Sequence, residues 1–252
     1  MVHLDSNSRQ NLMDLLNLNF FTIHGGNDMS ETILVTGASA GFGQAICRRL
    51  VADGYRVIGS ARRIEKLQAL QEELGEAFYP LQMDVTDLSQ VDHALASLPK
   101  AWEKVDVLVN NAGLALGLAP AYEAEVADWL TMIQTNIVGL TYLTRKILPQ
   151  MVERNDGYII NLGSTAGTVP YPGANVYGAS KAFVKQFSLN LRADLAGKKI
   201  RVSNIEPGLC EGTEFSSVRF KGDEKRVEAL YQDAHAIQPE DIANTVSWLI
   251  QQ

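Results

Sequence analysis

The chain has 252 residues, 46% of them hydrophobic, and a formal net charge of -7. This length and composition are typical of one large α/β domain or two small ones, and the acidic balance argues against a general nucleic-acid or anionic-membrane surface. Two distant cysteines and four scattered histidines predict reduced thiols in a cytoplasmic protein without a bound metal, and no apolar run approaches the ~18 residues that span a bilayer.

The segment before the first predicted strand has an unusual composition. Residues 12–21 are rich in apolar side chains, but the segment lacks a basic n-region and a small-residue cleavage site, so a signal peptide is not predicted. Met29 stands just before the first strand. We interpret residues 1–28 as a disordered extension or a mis-assigned start, and we assign residues 29–252 to one domain.

Short apolar runs alternate with longer helical patterns from Glu31 onward. They predict strands over 32–35, 55–59, 78–83, 105–109, 157–162 and 200–205, and helices over 42–52, 64–74, 88–98, 125–152, 175–196 and 239–251. Continuously apolar strands indicate burial on both faces of a parallel sheet. Right-handed crossovers then predict a single-domain α/β fold of the Rossmann type, with a doubly wound sheet. Pro149, near the end of the fourth helix, predicts a kink or a stop.

A glycine-rich turn, TGASAGFG over 36–43, joins the first predicted strand to the first helix. Such a turn lets the backbone approach a pyrophosphate, and the free N–H groups at the start of the following helix favour the anion. A tight turn can also need glycines without any ligand, so its place in the first βα unit is what indicates a dinucleotide. The predicted cofactor contacts in this turn are Gly37, Ser39, Gly41, Phe42 and Gly43.

Two arginines, Arg62 and Arg63, follow the second predicted strand. A site for NAD commonly has a carboxylate here for the adenosine ribose, whereas this chain has none before Glu65. Guanidinium groups bind a phosphate through paired hydrogen bonds, so the pair predicts NADP as the cofactor. The alternative is that both side chains only cap and solvate the next helix, a position at which the helix dipole disfavours cations.

Polar side chains follow the third and fourth predicted strands, at the edge where open α/β sheets bind ligands. Asp84 is placed to accept from an adenine amine. Asn111 is placed either to border the adenosine ribose or to tie neighbouring strands together, and Asn110 is interpreted as structural. Cofactor contacts at this edge are predicted for Asp84, Val85 and Asn111.

Tyr177 and Lys181 are four residues apart in a predicted helix, so they share one face. A free tyrosine, with a pKa near ~10, is a poor base at neutral pH. A neighbouring ammonium favours the phenolate, which would make the pair an acid/base centre. The spacing alone leaves open an ordinary exposed pair on a helix surface.

Several motifs occur in a fixed order along the chain: TGxxxGxG at 36–43, NNAG at 110–113, Asn136, Ser164, YxxxK at 177–181 and a proline–glycine pair at 207–208. In this combination the chain resembles the short-chain dehydrogenase/reductase family over roughly residues 31–252. The resemblance implies hydride transfer between a nicotinamide and an alcohol or carbonyl.

The resemblance also implies a role for each matched residue. Tyr177 gives or takes the proton at the substrate oxygen, and Ser164 hydrogen-bonds that oxygen. Lys181 lowers the pKa of Tyr177 and binds the nicotinamide ribose, while Asn136 holds a water that links Lys181 to solvent. The segment 207–215 wraps the nicotinamide and pyrophosphate, with contacts from Pro207, Gly208 and Thr213.

A narrower resemblance, carried by the stretches 110–117, 161–192 and 205–223, is to the NADP-dependent 3-hydroxy acid dehydrogenases. It implies a cytosolic homotetramer that acts on L-allo-threonine, serine, 3-hydroxypropionate or malonic semialdehyde. Such a substrate needs a cation for its carboxylate, and charge matching selects Arg219. A surface arginine on a lid is the alternative interpretation.

One departure from the family is visible at the end of the chain. Family members continue past the last helix into another strand and a tail, whereas this sequence stops at Gln252, so a shortened sheet is expected. The alternatives to a 3-hydroxy acid dehydrogenase are a reductase of another carbonyl, such as a ketoacyl thioester or sugar, and a non-catalytic NADP-binding regulator.

Overall fold

A parallel sheet of six strands forms the centre of the computed structural model, which describes residues 31–232 and 234–252. The strands are β1 (Thr32–Thr36), β2 (Arg56–Ala61), β3 (Phe78–Gln82), β4 (Val107–Asn110), β5 (Gly157–Leu162) and β6 (Ile200–Ile205). Their order is β3-β2-β1-β4-β5-β6, and every neighbouring pair is parallel. The predicted doubly wound sheet is therefore confirmed, while the interpretation of residues 1–28 lies outside the described residues.

The sheet is buried on both faces because its central strands are apolar at successive positions. In β1, Ile33 and Val35 pack into one apolar cluster, whereas Leu34 between them packs into a second cluster on the opposite face. This is the alternation that the pleat of a strand imposes. Helices cover each face, so the sheet needs no polar side.

Nine α-helices lie in the part of the chain that the structure describes. They are α1 (Gly41–Ala52), α2 (Ile64–Leu74), α3 (Leu88–Ala96), α4 (Val126–Ile133), α5 (Leu140–Arg154), α6 (Asn175–Asp194), α7 (Phe215–Arg219), α8 (Glu224–Tyr231) and α9 (Pro239–Gln251). The short helices α7 and α8 were not predicted, since their segment lacks a sustained apolar stripe. No helix among these is long and apolar enough to cross a membrane.

The long helix predicted over 125–152 is wrong in two respects. A π-helical segment, Gln134–Gly139, separates α4 from α5. Pro149 lies inside α5, which continues to Arg154 and ends where Asn155 adopts a left-handed conformation with φ 52°. A proline removes only one helical hydrogen bond, and the buried Ile147 and Met151 keep the surrounding turns packed against the sheet.

Candidate active site

A cavity of about 610 Å³ opens at the carboxyl edge of the sheet. It lies where the strand order reverses between β1 and β4, the place at which open α/β sheets bind ligands. The volume is within the range of small-molecule and cofactor sites. Of the residues predicted to form a site, all but Gly43 and Asn136 line this cavity.

The turn between β1 and α1 is built on glycines for steric reasons. Gly37 and Gly41 have φ angles of 70° and 52°, in the left-handed region that favours glycine. Gly43 does not face the cavity: a Cβ atom there would lie 2.2 Å from the Gly37 carbonyl oxygen. Because Gly43 has no side chain, α1 packs closely on the turn. Ser39, Gly41 and Phe42 then lie at the cavity wall.

The two arginines after β2 have different surroundings. The Nη2 atom of Arg63 donates to Ser39 Oγ at 3.1 Å and to Glu214 Oε2 at 2.9 Å. Lys66 Nζ donates to the other Glu214 oxygen at 2.8 Å. Arg62 lines the cavity as well, and its side chain has no hydrogen bond or ion pair with the described residues. Glu214 was missed from the sequence, because no local pattern connects it to Arg63.

The polar residues at the ends of β3 and β4 have defined partners. Asp84 Oδ1 accepts from the N–H and the hydroxyl of Thr86 at 2.9 and 2.8 Å. Asn111 Nδ2 donates to the Thr36 carbonyl at 2.7 Å, so this side chain ties β4 to β1. Asn110 is buried and donates to Asn161 Oδ1 at 2.9 Å, a contact within the sheet. Val85 and Asp84 both reach the cavity wall.

The structure brings Ser164, Tyr177 and Lys181 together at the inner end of the cavity. Ser164 follows β5 and caps a short 3-10 turn, accepting from the Ala166 N–H at 3.1 Å. Tyr177 and Lys181 occupy successive turns of α6, and both side chains are buried. Lys181 Nζ donates to the Leu162 carbonyl at 2.7 Å and lies 5.9 Å from the Tyr177 ring centroid. The convergence depends on α6 packing beside β5.

Burial controls the protonation of these groups. It raises the pKa of Tyr177 above its ordinary value, while a hydrogen bond with Ser164 and the charge of Arg219 act in the opposite direction. Burial lowers the pKa of Lys181 to about 8. The sequence assigned the stabilising cation to Lys181, whereas the cation whose charge lowers the pKa of Tyr177 in the structure is Arg219 of α7, with its Cζ atom 5.6 Å from the ring centroid.

Asn136 lies in the π-helical segment, behind the cavity wall. Its Oδ1 accepts from the Leu114 N–H at 2.9 Å, and its Nδ2 donates to the Leu114 carbonyl at 2.9 Å and to Ser180 Oγ at 3.0 Å. These bonds hold the loop after β4 against α6. Such π-helical turns are frequent at functional sites.

The segment after β6 closes the outer side of the cavity. Pro207 accepts from the Thr165 N–H at 3.0 Å, which fixes the segment beside Ser164. Thr213 packs against Gly41, where an added Cβ atom would lie 3.2 Å from the threonine side chain. Pro207, Gly208 and Thr213 all line the cavity, as their predicted cofactor contacts require.

Arg219 points into the cavity and is not a solvated surface side chain. Its Nε donates to the Gly117 carbonyl at 3.2 Å, and its Nη1 donates to the Tyr171 hydroxyl at 3.0 Å. The remaining Nη2 atom is buried and has no hydrogen-bond partner among the described residues. A buried, unpaired guanidinium N–H at the wall of a cavity favours an anionic ligand.

Comparison with known proteins identifies the lineage. The family model for short chain dehydrogenase matches residues 31–224. The NADP-dependent 3-hydroxy acid dehydrogenase YdfG of Salmonella typhi is 59% identical, covering 86% of this chain and 88% of the relative. The serine 3-dehydrogenase of Agrobacterium fabrum (strain C58) is 51% identical over 89% of each chain.

A solved structure agrees with these relatives. The closed form of a serine dehydrogenase complexed with NADP+ superposes with a TM-score of 0.86 at 57% identity, covering 88% of this chain and 89% of the other. The family model, the sequence relatives and this fold all point to one lineage, and the predicted resemblance is confirmed. The chain belongs to the short-chain dehydrogenase family.

Proposed function

We propose that this protein is an oxidoreductase that transfers a hydride between NADP(H) and a small 3-hydroxy acid or the matching 3-oxo acid. The observation that carries the proposal is one cavity lined by Ser164, Tyr177 and Arg219. The Arg219 Cζ atom lies 5.6 Å from the Tyr177 ring centroid, and its buried Nη2 atom has no hydrogen-bond partner among the described residues. A proton donor and a fixed cation in one cavity suit a substrate with both a hydroxyl and a carboxylate. The names of the relatives at 51% and 59% identity agree with this chemistry.

The cavity fits a phosphorylated dinucleotide. Ser60 lines it and carries a buried hydroxyl that has no partner within the described ranges, while Arg62 offers an uncommitted guanidinium. The start of α1 supplies N–H groups for a pyrophosphate, and Arg62 with Arg63 supplies cations for a 2′-phosphate. Asp84, Val85 and Asn111 border the adenosine end. When bound, the nicotinamide gives or accepts the hydride.

The chain's own residues perform the proton transfer. In reduction Tyr177 donates its phenolic proton to the substrate oxygen, and in oxidation it accepts that proton. Ser164, which lines the same cavity, holds the same oxygen in place. Lys181 binds the nicotinamide ribose and favours the phenolate, and Asn136 holds a water on the path from Lys181 to solvent. General acid–base transfer of this kind contributes ~10²–10⁴-fold in rate.

Arg219 binds the substrate carboxylate through Nη2. Its other donors are already held by Gly117 and Tyr171, so the guanidinium is fixed in orientation before substrate arrives. A preorganised cation loses less side-chain entropy on binding than a free surface arginine. This arrangement selects acids over neutral alcohols.

The direct test is absorbance at the reduced-nicotinamide band with purified protein and L-allo-threonine, L-serine or 3-hydroxypropionate. We expect a rise with NADP and little change with NAD. The methyl ester of the same hydroxy acid is the matched control, because it keeps the hydroxyl and removes the negative charge. Equal rates with acid and ester would contradict a carboxylate site, and no rise with any hydroxy acid would contradict the reaction.

We also propose a cytoplasmic homo-oligomer, with a tetramer as its form. Exposed apolar side chains on and beside α4 support self-association: Tyr122, Val126 and Leu130 are 85%, 61% and 61% exposed. Large apolar side chains exposed close together in the chain are often covered by a partner. Light scattering after size exclusion measures the mass; a monomer at micromolar concentration would be evidence against assembly.

A further inference from the structure

The carboxylate of Glu214 joins two distant parts of the cavity rim. It accepts from Arg63 at 2.9 Å and from Lys66 at 2.8 Å, although 151 residues separate it from Arg63 in the chain. Arg63 precedes α2 and Lys66 lies in its first turn. Glu214 directly precedes α7, in the segment that leaves β6. The two ion pairs therefore connect the β2 side of the cavity to its β6 side.

The segment 211–214, which we name the strap, crosses the glycine-rich turn between those two sides. Its Thr213 rests on Gly41. Thr213, Glu214 and the turn residue Gly41 line the cofactor cavity and also a second, open cavity of about 830 Å³. The strap therefore separates the cofactor cavity from the second cavity. The second cavity leaves space into which the strap can move. A dinucleotide bound along the turn would pass beneath the strap.

The neighbouring arginines are not equivalent with respect to the strap. Arg63 is committed to Glu214 and Ser39, whereas Arg62 faces the cavity without a partner in the part of the chain that the structure describes. Side chains of the strap pairs are between 41% and 48% exposed. Ion pairs this exposed are weak, so they can open and close within a catalytic cycle.

We propose that Glu214, held by Arg63 and Lys66, is a latch that closes the strap over the bound dinucleotide, and that Arg62 is the principal contact of the 2′-phosphate. The latch controls how fast the cofactor enters and leaves. Glu214 is a positioning residue, since it acts through the strap. The role of Arg62 rests on the proposed NADP function. The latch does not depend on the 2′-phosphate, so it should act on NAD(H) as well as NADP(H).

The test uses NADH as the probe, because NADH lacks the 2′-phosphate and reports the strap without the charge of that group. Stopped-flow fluorescence gives its association and dissociation rate constants on the full chain. For Glu214→Gln and for Arg63→Ala we expect both rate constants to rise roughly three- to tenfold, the size that two exposed ion pairs allow, with Kd within about twofold. The double variant should rise no further than Glu214→Gln alone, because that single change already removes both ion pairs.

Two controls separate the latch from general effects of charge or folding. Glu211→Gln removes a carboxylate from the same strap that contacts Gln238 and no residue of α2, and it should leave the rates near those of the wild type. The charge swap Arg63→Glu with Glu214→Arg rebuilds this one pair in reverse while Lys66 loses its partner, so it should slow NADH release part of the way back towards the wild type. A merely structural role would not show this rescue.

The outcomes against the proposal are specific. Unchanged association and dissociation rates of NADH in Glu214→Gln would overturn the latch. If that variant bound NADPH more tightly and left NADH binding unchanged, the latch would also be wrong, because the carboxylate would then only compete with the 2′-phosphate. An effect of Arg63→Ala confined to NADPH would make Arg63 the phosphate contact. The proposed NADP function fails separately, if Arg62→Ala weakens NADPH and NADH by equal factors.

Discussion

The Cζ atom of Arg219 lies 5.6 Å from the ring centroid of Tyr177, so the proposed carboxylate-binding cation and the proposed proton donor share one wall of the cavity. Arg219 comes from α7 and Tyr177 from α6. A 3-hydroxy acid has two carbons between its carboxylate and its hydroxyl, so one small substrate can contact both side chains. The chemistry of the site is therefore testable from either residue.

Replacing Arg219 by Gln should raise the KM for a 3-hydroxy acid by about 10–100-fold, because a charged hydrogen bond of ~1.5–3 kcal/mol is lost. The methyl ester should be much less affected, since it carries no charge for the guanidinium to bind. Steady-state kinetics with both substrates measures the contrast. A similar loss for acid and ester would mean that Arg219 only supports the loop at Gly117.

Replacing Tyr177 by Phe removes the phenolic oxygen and keeps the ring that packs near Phe215, with centroids 5.8 Å apart. Turnover should fall by about 10²–10⁴-fold, the usual contribution of a positioned acid or base. The Kd for NADPH, from fluorescence titration, should change by no more than a few-fold. Activity within a few-fold of the wild type would rule out Tyr177 as the proton donor.

Oxidation of the hydroxy acid should become faster with rising pH, because it requires the Tyr177 phenolate and burial raises the pKa of that phenol. The hydrogen bond from Ser164 lowers the same pKa, so Ser164→Ala should move the rising limb of kcat/KM to higher pH, besides lowering the rate. Profiles of kcat/KM report the free enzyme. A limb that moves to lower pH in Ser164→Ala would contradict this interpretation of the contact.

Replacing Lys181 by Met should abolish most activity and yet stabilise the fold at neutral pH. Burial lowers the pKa of Lys181 to about 8 from 10.5, so below about 8 the folded protein holds a buried cation at a free-energy cost. Removing it should raise the free energy of unfolding by about 2 kcal/mol, once the lost bond to Leu162 is deducted.

The sign of that effect sets its pH dependence. The unfolded chain binds more protons than the folded one between the two pKa values, so the wild type gains stability as pH rises from about 8 towards 10.5, and the difference from Lys181→Met shrinks. Urea unfolding near neutral pH and near pH 10.5 measures this difference in the free energy of unfolding. Lys185→Met is the control, because Lys185 lies one turn along α6 and its side chain is 40% exposed. This variant should show no gain in the free energy of unfolding. A stability difference between Lys181→Met and the wild type that grows with pH would contradict a buried Lys181 cation as its cause.

Local signals were sufficient for most of the fold. Continuously apolar runs such as Thr32–Thr36 require burial on both faces, and their alternation with amphipathic helices leaves a parallel, doubly wound sheet as the economical arrangement. The glycine turn and the Tyr177–Lys181 spacing were readable for the same reason, since each depends on residues within one turn or two. The kink or stop predicted from Pro149 was wrong because packing against the sheet stabilises α5 beyond that proline.

Contacts between residues far apart in the chain were decided only by the tertiary structure. Nothing near Glu214 in the sequence indicates Arg63, and nothing near Arg219 indicates Gly117, 102 residues away. The π-helical turn at Asn136 likewise has no periodic signature. Sequence patterns by themselves determined the fold, the glycine turn and the residues expected to carry the chemistry. The packing of α6 and α7 around one cavity decided which atoms face each other, because such contacts depend on how whole elements pack.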